Sequence, residues 1–169
     1  MSIAARVLPA FDHIVQGTKV HLAAIPDDKL DWRPHPKSWT AGEIGSHLAN
    51  LPGWTVPTLT LDELDVAPVD GEGPKQPEYH SSAEMVAAFE ENTAAARSAI
   101  ESTSDDTFMS NWTMLAGGVE RFSMPKISVV QAFILDHLIH HRGQLTVYLR
   151  MLDVPVAQTY GPTADFPEM

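Results

Sequence analysis

The sequence contains no cysteine among its 169 residues. This absence excludes disulfide bonds, thiolate metal sites and a cysteine nucleophile. Positive charge is also scarce, because 11 lysines and arginines stand against 22 aspartates and glutamates, giving a formal net charge of −11. An acidic surface repels phosphate groups, so we predict neither a nucleic-acid partner nor binding to an anionic membrane.

A long, uninterrupted apolar segment is missing as well. The longest stretch without Asp, Glu, Lys or Arg covers residues 44–61 and includes a histidine, an asparagine, two prolines and three threonines. The first residues lack the apolar run and cleavage site of a secretory signal. We therefore predict no membrane-spanning or secretory segment and a cytoplasmic location.

The composition of the chain fits a single domain over residues 1–169, since 44% of the residues are apolar. Apolar periodicity predicts four helices, over residues 3–24, 40–65, 81–103 and 128–152. The second begins at Thr40 and is expected to kink or end at Pro52-Gly53, with a continuation to about residue 65. Thr40 with Glu43 fits a capping box. Residues 66–80 are predicted to form a long loop. The fold class that follows is all-α, an up-and-down four-helix bundle, with Gly117-Gly118 offering a short hairpin before the last helix.

The eight histidines are unevenly distributed along the chain. At about 100° per residue, His137 and His141 fall on or beside the apolar stripe of the last helix that includes Leu145 and Tyr148. His140 falls about 60° outside that stripe, on the flank. The last helix is therefore predicted to direct His137 and His141 into the bundle.

The second helix places a third histidine, His47, on the same face as Ile44 and Leu51. Buried imidazoles need partners, and one divalent ion would satisfy all three. Three protein ligands leave coordination positions open, as in a catalytic metal site. The alternative is that these histidines are ordinary hydrogen-bonded core residues, and the pattern by itself does not decide between the two.

Four segments of the sequence resemble the DinB family, also called DinB/YfiT-like. They are Trp39–Leu48 (WTAGEIGSHL), Asp136–Gln144 (DHLIHHRGQ), Val147–Pro155 and Tyr160–Pro162. A histidine followed later in the chain by His-x3-His-Arg-Gly-Gln is fairly specific to that family as an ordered set, and the resemblance covers nearly the whole chain.

The resemblance implies a four-helix bundle that forms a homodimer and holds a divalent metal, zinc or nickel. By motif the metal ligands are His47, His137 and His141, the residues that the helical wheels select. Some relatives are thiol-dependent transferases or isomerases that use bacillithiol or mycothiol. The sequence departs from the family pattern at Asp153, where glycine is common, and at Phe166, where an acid is common, which affects only the expected conformation of the tail.

Several other residues near the predicted centre have two interpretations. Gln144 is predicted either to hydrogen-bond a ligand or to join two helices, and Asn50 to lie on a flank or orient a ligand. Arg142 is predicted to pair with a carboxylate of its own chain rather than an anionic substrate. Trp39 and Trp54 are predicted to be core residues, with the wall of a pocket as the alternative. The remaining histidines are predicted to be surface or packing residues: His13, His21, His35, His80 and, as a weak alternative ligand, His140.

An open divalent site favours a metal-dependent enzyme acting on a small-molecule substrate, either an S-transferase using a low-molecular-weight thiol or a hydrolase. With no cysteine in the chain, the sulfur for thiol chemistry would have to come from an external molecule. No carboxylate stands out as a general base. The alternative is therefore a non-catalytic bundle that binds a metal or small ligand and is induced under stress, and a structural dimer with a histidine-rich core is a third hypothesis.

Overall fold

Helices make up most of the chain, which a computed structural model describes over residues 1–168. The α-helices are Ile3–Ala23 (α1), Ala41–Asn50 (α2), Thr55–Thr60 (α3), Ser82–Ser102 (α4), Asp105–Met109 (α5), Lys126–Val129 (α6) and Asp136–Met151 (α7). Short 3-10 turns cover Asp27–Lys29 and Leu51–Trp54, and a π-helical segment, Val130–Leu135, joins α6 to α7.

The helix starts follow from local side-chain chemistry. Thr40 Oγ1 accepts a hydrogen bond from the Glu43 amide at 3.0 Å, and Glu43 Oε2 accepts one from the Thr40 amide at 2.6 Å. The predicted capping box is therefore confirmed, and it fixes where α2 begins. Ser81 caps α4 in a similar way by accepting from the Glu84 amide.

The predicted all-α four-helix bundle is wrong, because the structure contains a three-stranded sheet. The strands are Glu63–Asp65 (β1), Asn111–Ala116 (β2) and Val119–Pro125 (β3), in the order β1-β2-β3. The hairpin between β2 and β3 is present where the sequence offered one, but β1 adds a parallel strand at the edge of β2. The predicted continuation of the second helix to residue 65 is also wrong, because α3 ends at Thr60.

The sheet was missed because its pairing joins residues that are far apart in the chain. Leu64 lies opposite Met114, a partner that local periodicity does not reveal. One acid ties the edge strand to the hairpin turn, since the Asp65 carboxylate accepts hydrogen bonds from the amides of Gly117 and Gly118. Both glycines have positive φ angles, 65° and 72°, as a tight turn between β2 and β3 requires.

The helices enclose a core that includes Phe11, Leu48, Phe89 and Leu138, each at most 1% exposed. Helix α4 packs on α1 and α2, and α7 packs on α1 and α2. The contact between α2 and α7 places the two histidine-bearing faces opposite each other. Within residues 1–168, no helix is long and apolar enough to cross a bilayer.

The last helix changes its hydrogen-bond pattern just before its histidines. The Asp136 amide donates to the carbonyl of Gln131, five residues earlier, which is the spacing of a π-helix. The additional residue rotates the preceding segment relative to α7. The sequence predicted one continuous helix here and did not indicate this segment.

Candidate metal centre

Three imidazoles converge where α2 meets α7. His47 Nε2 lies 3.3 Å from His137 Nε2, and His137 Nε2 lies 2.8 Å from His141 Nε2. The ligand atoms of all three residues lie within 4.8 Å of one another. The structure thus brings together the three histidines that the sequence selected, one from α2 and two from consecutive turns of α7.

Hydrogen bonds on the far side of two of the rings set which nitrogen carries the proton. His141 Nδ1 donates to Gln144 Oε1 at 2.7 Å, and His137 Nδ1 donates to the Phe133 carbonyl at 3.3 Å. Both acceptors are oxygens that cannot donate, so in the neutral rings each Nδ1 carries the hydrogen. The Nε2 lone pairs of His137 and His141 therefore point toward the centre, as metal-binding imidazoles require.

Burial keeps the three rings in the neutral form. Loss of solvent, together with the nearby His141 and His137, lowers the pKa of His47 to about 4. Burial is also the largest cause of the lowered pKa of His137 and of His141, although the hydrogen bonds to Phe133 and Gln144 partly oppose it. Neutral imidazoles keep their lone pairs available, which favours binding of a cation at neutral pH.

The donor set and its spacing fit a divalent metal. Nitrogen lone pairs that face each other at 2.8 and 3.3 Å repel unless a cation lies among them. Metal–nitrogen bonds of about 2.0–2.1 Å in a tetrahedron place ligand nitrogens roughly 3.3 Å apart. The His47–His137 separation equals that value, and the His137–His141 separation is about 0.5 Å shorter. A set of three imidazoles suits zinc, nickel, copper or iron.

A cavity of about 540 Å³ opens beside the cluster, a volume suited to a small organic molecule. His47 and His137 line it, whereas His141 lies behind them and is 8% exposed. The rest of the wall comes from helices, sheet and loop: Trp39, Glu43, Ser46, Asn50, Leu51, Trp54, Thr58, Gln76, Pro77, Glu78, Trp112, Met114, Phe122, Val129, Phe133 and Ile134.

Trp39 covers the cluster from one side. Its ring stacks on His141 with centroids 5.3 Å apart and tilts against His47 at 5.0 Å. Trp39 is 45% exposed and lines the cavity, as does the half-buried Trp54. The prediction that Trp39 is a core residue is therefore wrong, and the alternative, the wall of a pocket, is confirmed for both. Trp54 also packs against the hydrophobic core, so both interpretations hold for it.

Asn50 fastens the 66–80 loop to α2, one turn after His47. Its side-chain amide donates to the Pro77 carbonyl at 2.7 Å, and its oxygen accepts from the Tyr79 hydroxyl at 2.8 Å. The Tyr79 amide also donates to Ser46 Oγ at 3.0 Å. The loop is therefore held against the cavity, and Asn50 positions this wall instead of a metal ligand.

The structure also shows what surrounds Gln144, His140 and Arg142. Gln144 orients His141, as described above, and His140 is exposed on the flank of α7, as predicted. Arg142 is 3% exposed, donates to the Ile14 carbonyl and lies over the ring of Tyr160. Within residues 1–168 no carboxylate forms an ion pair with Arg142, so that prediction is wrong for the described chain.

Sequence reasoning missed the apolar wall opposite the helices. Trp112 and Met114 on β2 and Phe122 on β3 line the cavity, and Phe133 in the π-helical segment stacks on Phe122. The alternation of Trp112, Thr113 and Met114 was a usable signal for a strand with one apolar face. It did not show that this face meets the histidines.

The fold and this site define a class of protein: a helical domain with a small mixed sheet and a three-histidine cluster beside an apolar cavity. A family model described as the DinB superfamily matches residues 10–145. The chain belongs to the DinB superfamily.

Two solved structures share this fold. A DinB-like protein from Bacillus cereus ATCC 10987 is 21% identical, with a TM-score of 0.66 over 90% of this chain and 95% of that one. A DinB-like protein from Bacillus subtilis is 15% identical, with a TM-score of 0.67 over 92% of this chain and 99% of that one. No curated protein gives a significant match.

Proposed function

We propose that this protein is a divalent-metal-dependent enzyme in which His47, His137 and His141 hold the metal. The observation that carries the proposal is that the three-nitrogen cluster lies at the edge of a cavity of about 540 Å³. A structural metal site is closed by four protein ligands, whereas three ligands beside a cavity leave room for substrate. Zinc and nickel are the proposed metals.

The residues of the chain divide the work of such a site. The three imidazoles supply neutral nitrogen ligands, and Gln144 and the Phe133 carbonyl hold two of the rings in the required orientation. Bound there, a divalent cation would supply Lewis-acid chemistry by lowering the pKa of a water or thiol. Trp39 shields one side of the cluster from solvent.

The reaction class that we propose is attack by an external low-molecular-weight thiol on an electrophilic substrate, or hydrolysis by water. In the transfer reaction a carbon–sulfur bond forms, the leaving group departs with its electron pair, and the thiol proton passes to solvent or to the leaving group. Family resemblance supports the thiol, and the absence of cysteine means that the sulfur must be external. A homodimeric, single-domain, cytoplasmic protein is part of the same proposal.

A second candidate function is non-catalytic binding of a metal or small ligand. One observation favours it: no carboxylate within residues 1–168 hydrogen-bonds to the three histidines. Glu43 lines the cavity, but its carboxylate already accepts from the Thr40 amide. Glu43 and Glu78 line the cavity, but no carboxylate within residues 1–168 is already paired with the histidine cluster as a general base.

Metal content of tag-free protein, measured by mass spectrometry, tests the shared premise. We expect about one zinc or nickel per chain after metal loading and dialysis. Protein that retains no metal would overturn the enzyme and the metal-binding form of the second function. A screen of thiols with electrophiles, and of esters and amides, then separates the two, since turnover that chelation abolishes supports the enzyme and stoichiometric metal without turnover supports the binding protein.

A further inference from the structure

Aromatic side chains line the cavity on several sides. Trp39, Trp54 and Trp112 line it, and the rings of Phe122 and Phe133 stack with centroids 4.8 Å apart and planes 11° apart. Aromatic faces bind flat apolar groups through dispersion and offset stacking. The face of an indole ring carries the negative part of its quadrupole, so it also attracts cations.

The charged groups in the wall all have the same sign. The lining includes the carboxylates of Glu43 and Glu78 and, within residues 1–168, no lysine or arginine. The chain as a whole carries a net charge of −11. A cleft lined by carboxylates with apolar walls concentrates cations and repels anions.

Hydrogen bonds fix the Glu43 carboxylate and the backbone on both sides of Glu78. Glu43 is held by the capping box at the start of α2, one turn before His47. Glu78 lies between Pro77, whose carbonyl accepts from Asn50, and Tyr79, whose hydroxyl donates to Asn50. A ligand therefore meets negative charge on α2 beside the nitrogen ligands and again on the 66–80 loop.

We propose that the side chains of this cavity favour a flat apolar molecule bearing a positive charge, of the class of protonated arylalkylamines, over an anion of similar shape. That this molecule is the substrate rests on the proposed function. Its binding does not, because the aromatic and acidic walls do not depend on a metal.

Intrinsic tryptophan fluorescence can report binding, since three of the four tryptophans line the cavity. The probes are phenylbutylammonium, phenylbutanol and phenylbutyrate, which share a ring and chain but differ in charge. We expect the cation to bind about tenfold more tightly than the alcohol, and the anion to be the weakest ligand, in metal-free protein, where no bound cation offsets the carboxylates. An alcohol or anion that binds as tightly as the cation would overturn the inference.

The double variant Glu43→Gln with Glu78→Gln tests the source of the preference. Glutamine still caps α2, so the fold is retained. We expect the cation's advantage over the alcohol to fall to about twofold or less. The matched control is Glu63→Gln with Glu120→Gln, two exposed residues outside the cavity lining. An equal fall in this control would assign the preference to net charge and overturn the role of the cavity.

The two proposals can fail separately. Protein that binds no metal but prefers the cationic probe would overturn the proposed function and leave this inference intact. Protein that binds metal and turns over a substrate, but whose metal-free form shows no charge preference among the probes, would overturn this inference alone.

Discussion

The helical wall of the cavity carries the nitrogen ligands and one acid, Glu43, whereas the wall made by β2, β3 and the 66–80 loop carries apolar side chains and Glu78. On the helical wall, His47 and His137 extend from helices whose backbone groups are bonded locally, and two of the three clustered rings have a second hydrogen bond. On the sheet wall, the positions of Trp112 and Phe122 depend on strand pairing, whose register shifts between Met114 and Leu115.

This difference separates the chemistry of the site from its selectivity. Ligand atoms must converge within a few tenths of an ångström, and consecutive turns of one helix provide that convergence. Shape and charge tolerate more variation, so they can be supplied by strands and a loop. Changes on the helical wall should therefore affect metal binding, and changes on the sheet wall should affect stability and ligand choice.

The largest effect is expected for His141→Ala. Loss of one of three ligands should lower metal affinity by at least about 100-fold, so that dialysed protein retains no stoichiometric metal. Metal content by mass spectrometry measures it, with circular dichroism to check the fold. His140→Ala is the matched control, because His140 is the exposed neighbour of His141 outside the cluster. Equal metal loss in both variants would contradict the assignment of the ligands.

The next largest effect is expected for Phe122→Ala, which tests the wall made by the sheet. Phe122 is half-buried and stacks on Phe133, so its removal should reduce the free energy of unfolding by about 2 kcal/mol while metal content stays the same. Urea unfolding measures the loss. The control is Val119→Ala on the same strand, which is 57% exposed and should change stability by less than about 0.5 kcal/mol. Metal loss in Phe122→Ala would show that the two walls are not separable.

A smaller effect is expected for Gln144→Ala. The His141 Nδ1–H would lose its acceptor, the ring would be less well oriented, and metal affinity should fall by about tenfold. Competition with a chelator of known affinity measures this change. Gln144→Glu keeps an acceptor oxygen at the same position and should restore the affinity. If alanine and glutamate variants bind metal equally well, Gln144 does not position His141.

The smallest effect is expected for Tyr79→Phe, which removes the hydroxyl that donates to Asn50. The loss of one partly buried hydrogen bond should cost about 1 kcal/mol of unfolding free energy. Limited proteolysis should show faster cleavage within residues 66–80, with metal content unchanged. A cleavage rate equal to that of the wild type would show that this bond does not hold the loop.

The helical half of the molecule was largely predictable. The α1 bounds, the capping box of α2 and the inward direction of His137 and His141 follow from side-chain chemistry and the helical repeat. These features depend on residues within about one turn of each other, so the sequence carries them directly. The placement of His140 on the flank follows from the same repeat.

The sheet half was not predictable from local patterns. Residues 63–65 were assigned to a helix because nothing nearby shows that they pair with residues 113–115. The π-helical segment was missed because one additional residue in a turn leaves little trace in apolar periodicity. The partner of Arg142 was wrongly predicted because its contact with Tyr160 depends on how the C-terminal segment returns to the helices.

By itself the sequence determined which side chains are available to the site: eight histidines, no cysteine, and a spacing that sets two imidazoles on consecutive turns of one helix. Only the tertiary structure decided that α2 and α7 are neighbours, which brings His47 Nε2 to 3.3 Å from His137 Nε2. It also decided that a sheet and a loop complete the cavity. The physical reason is range: a helical repeat acts over a few residues, whereas the convergence of distant segments depends on packing of the whole chain.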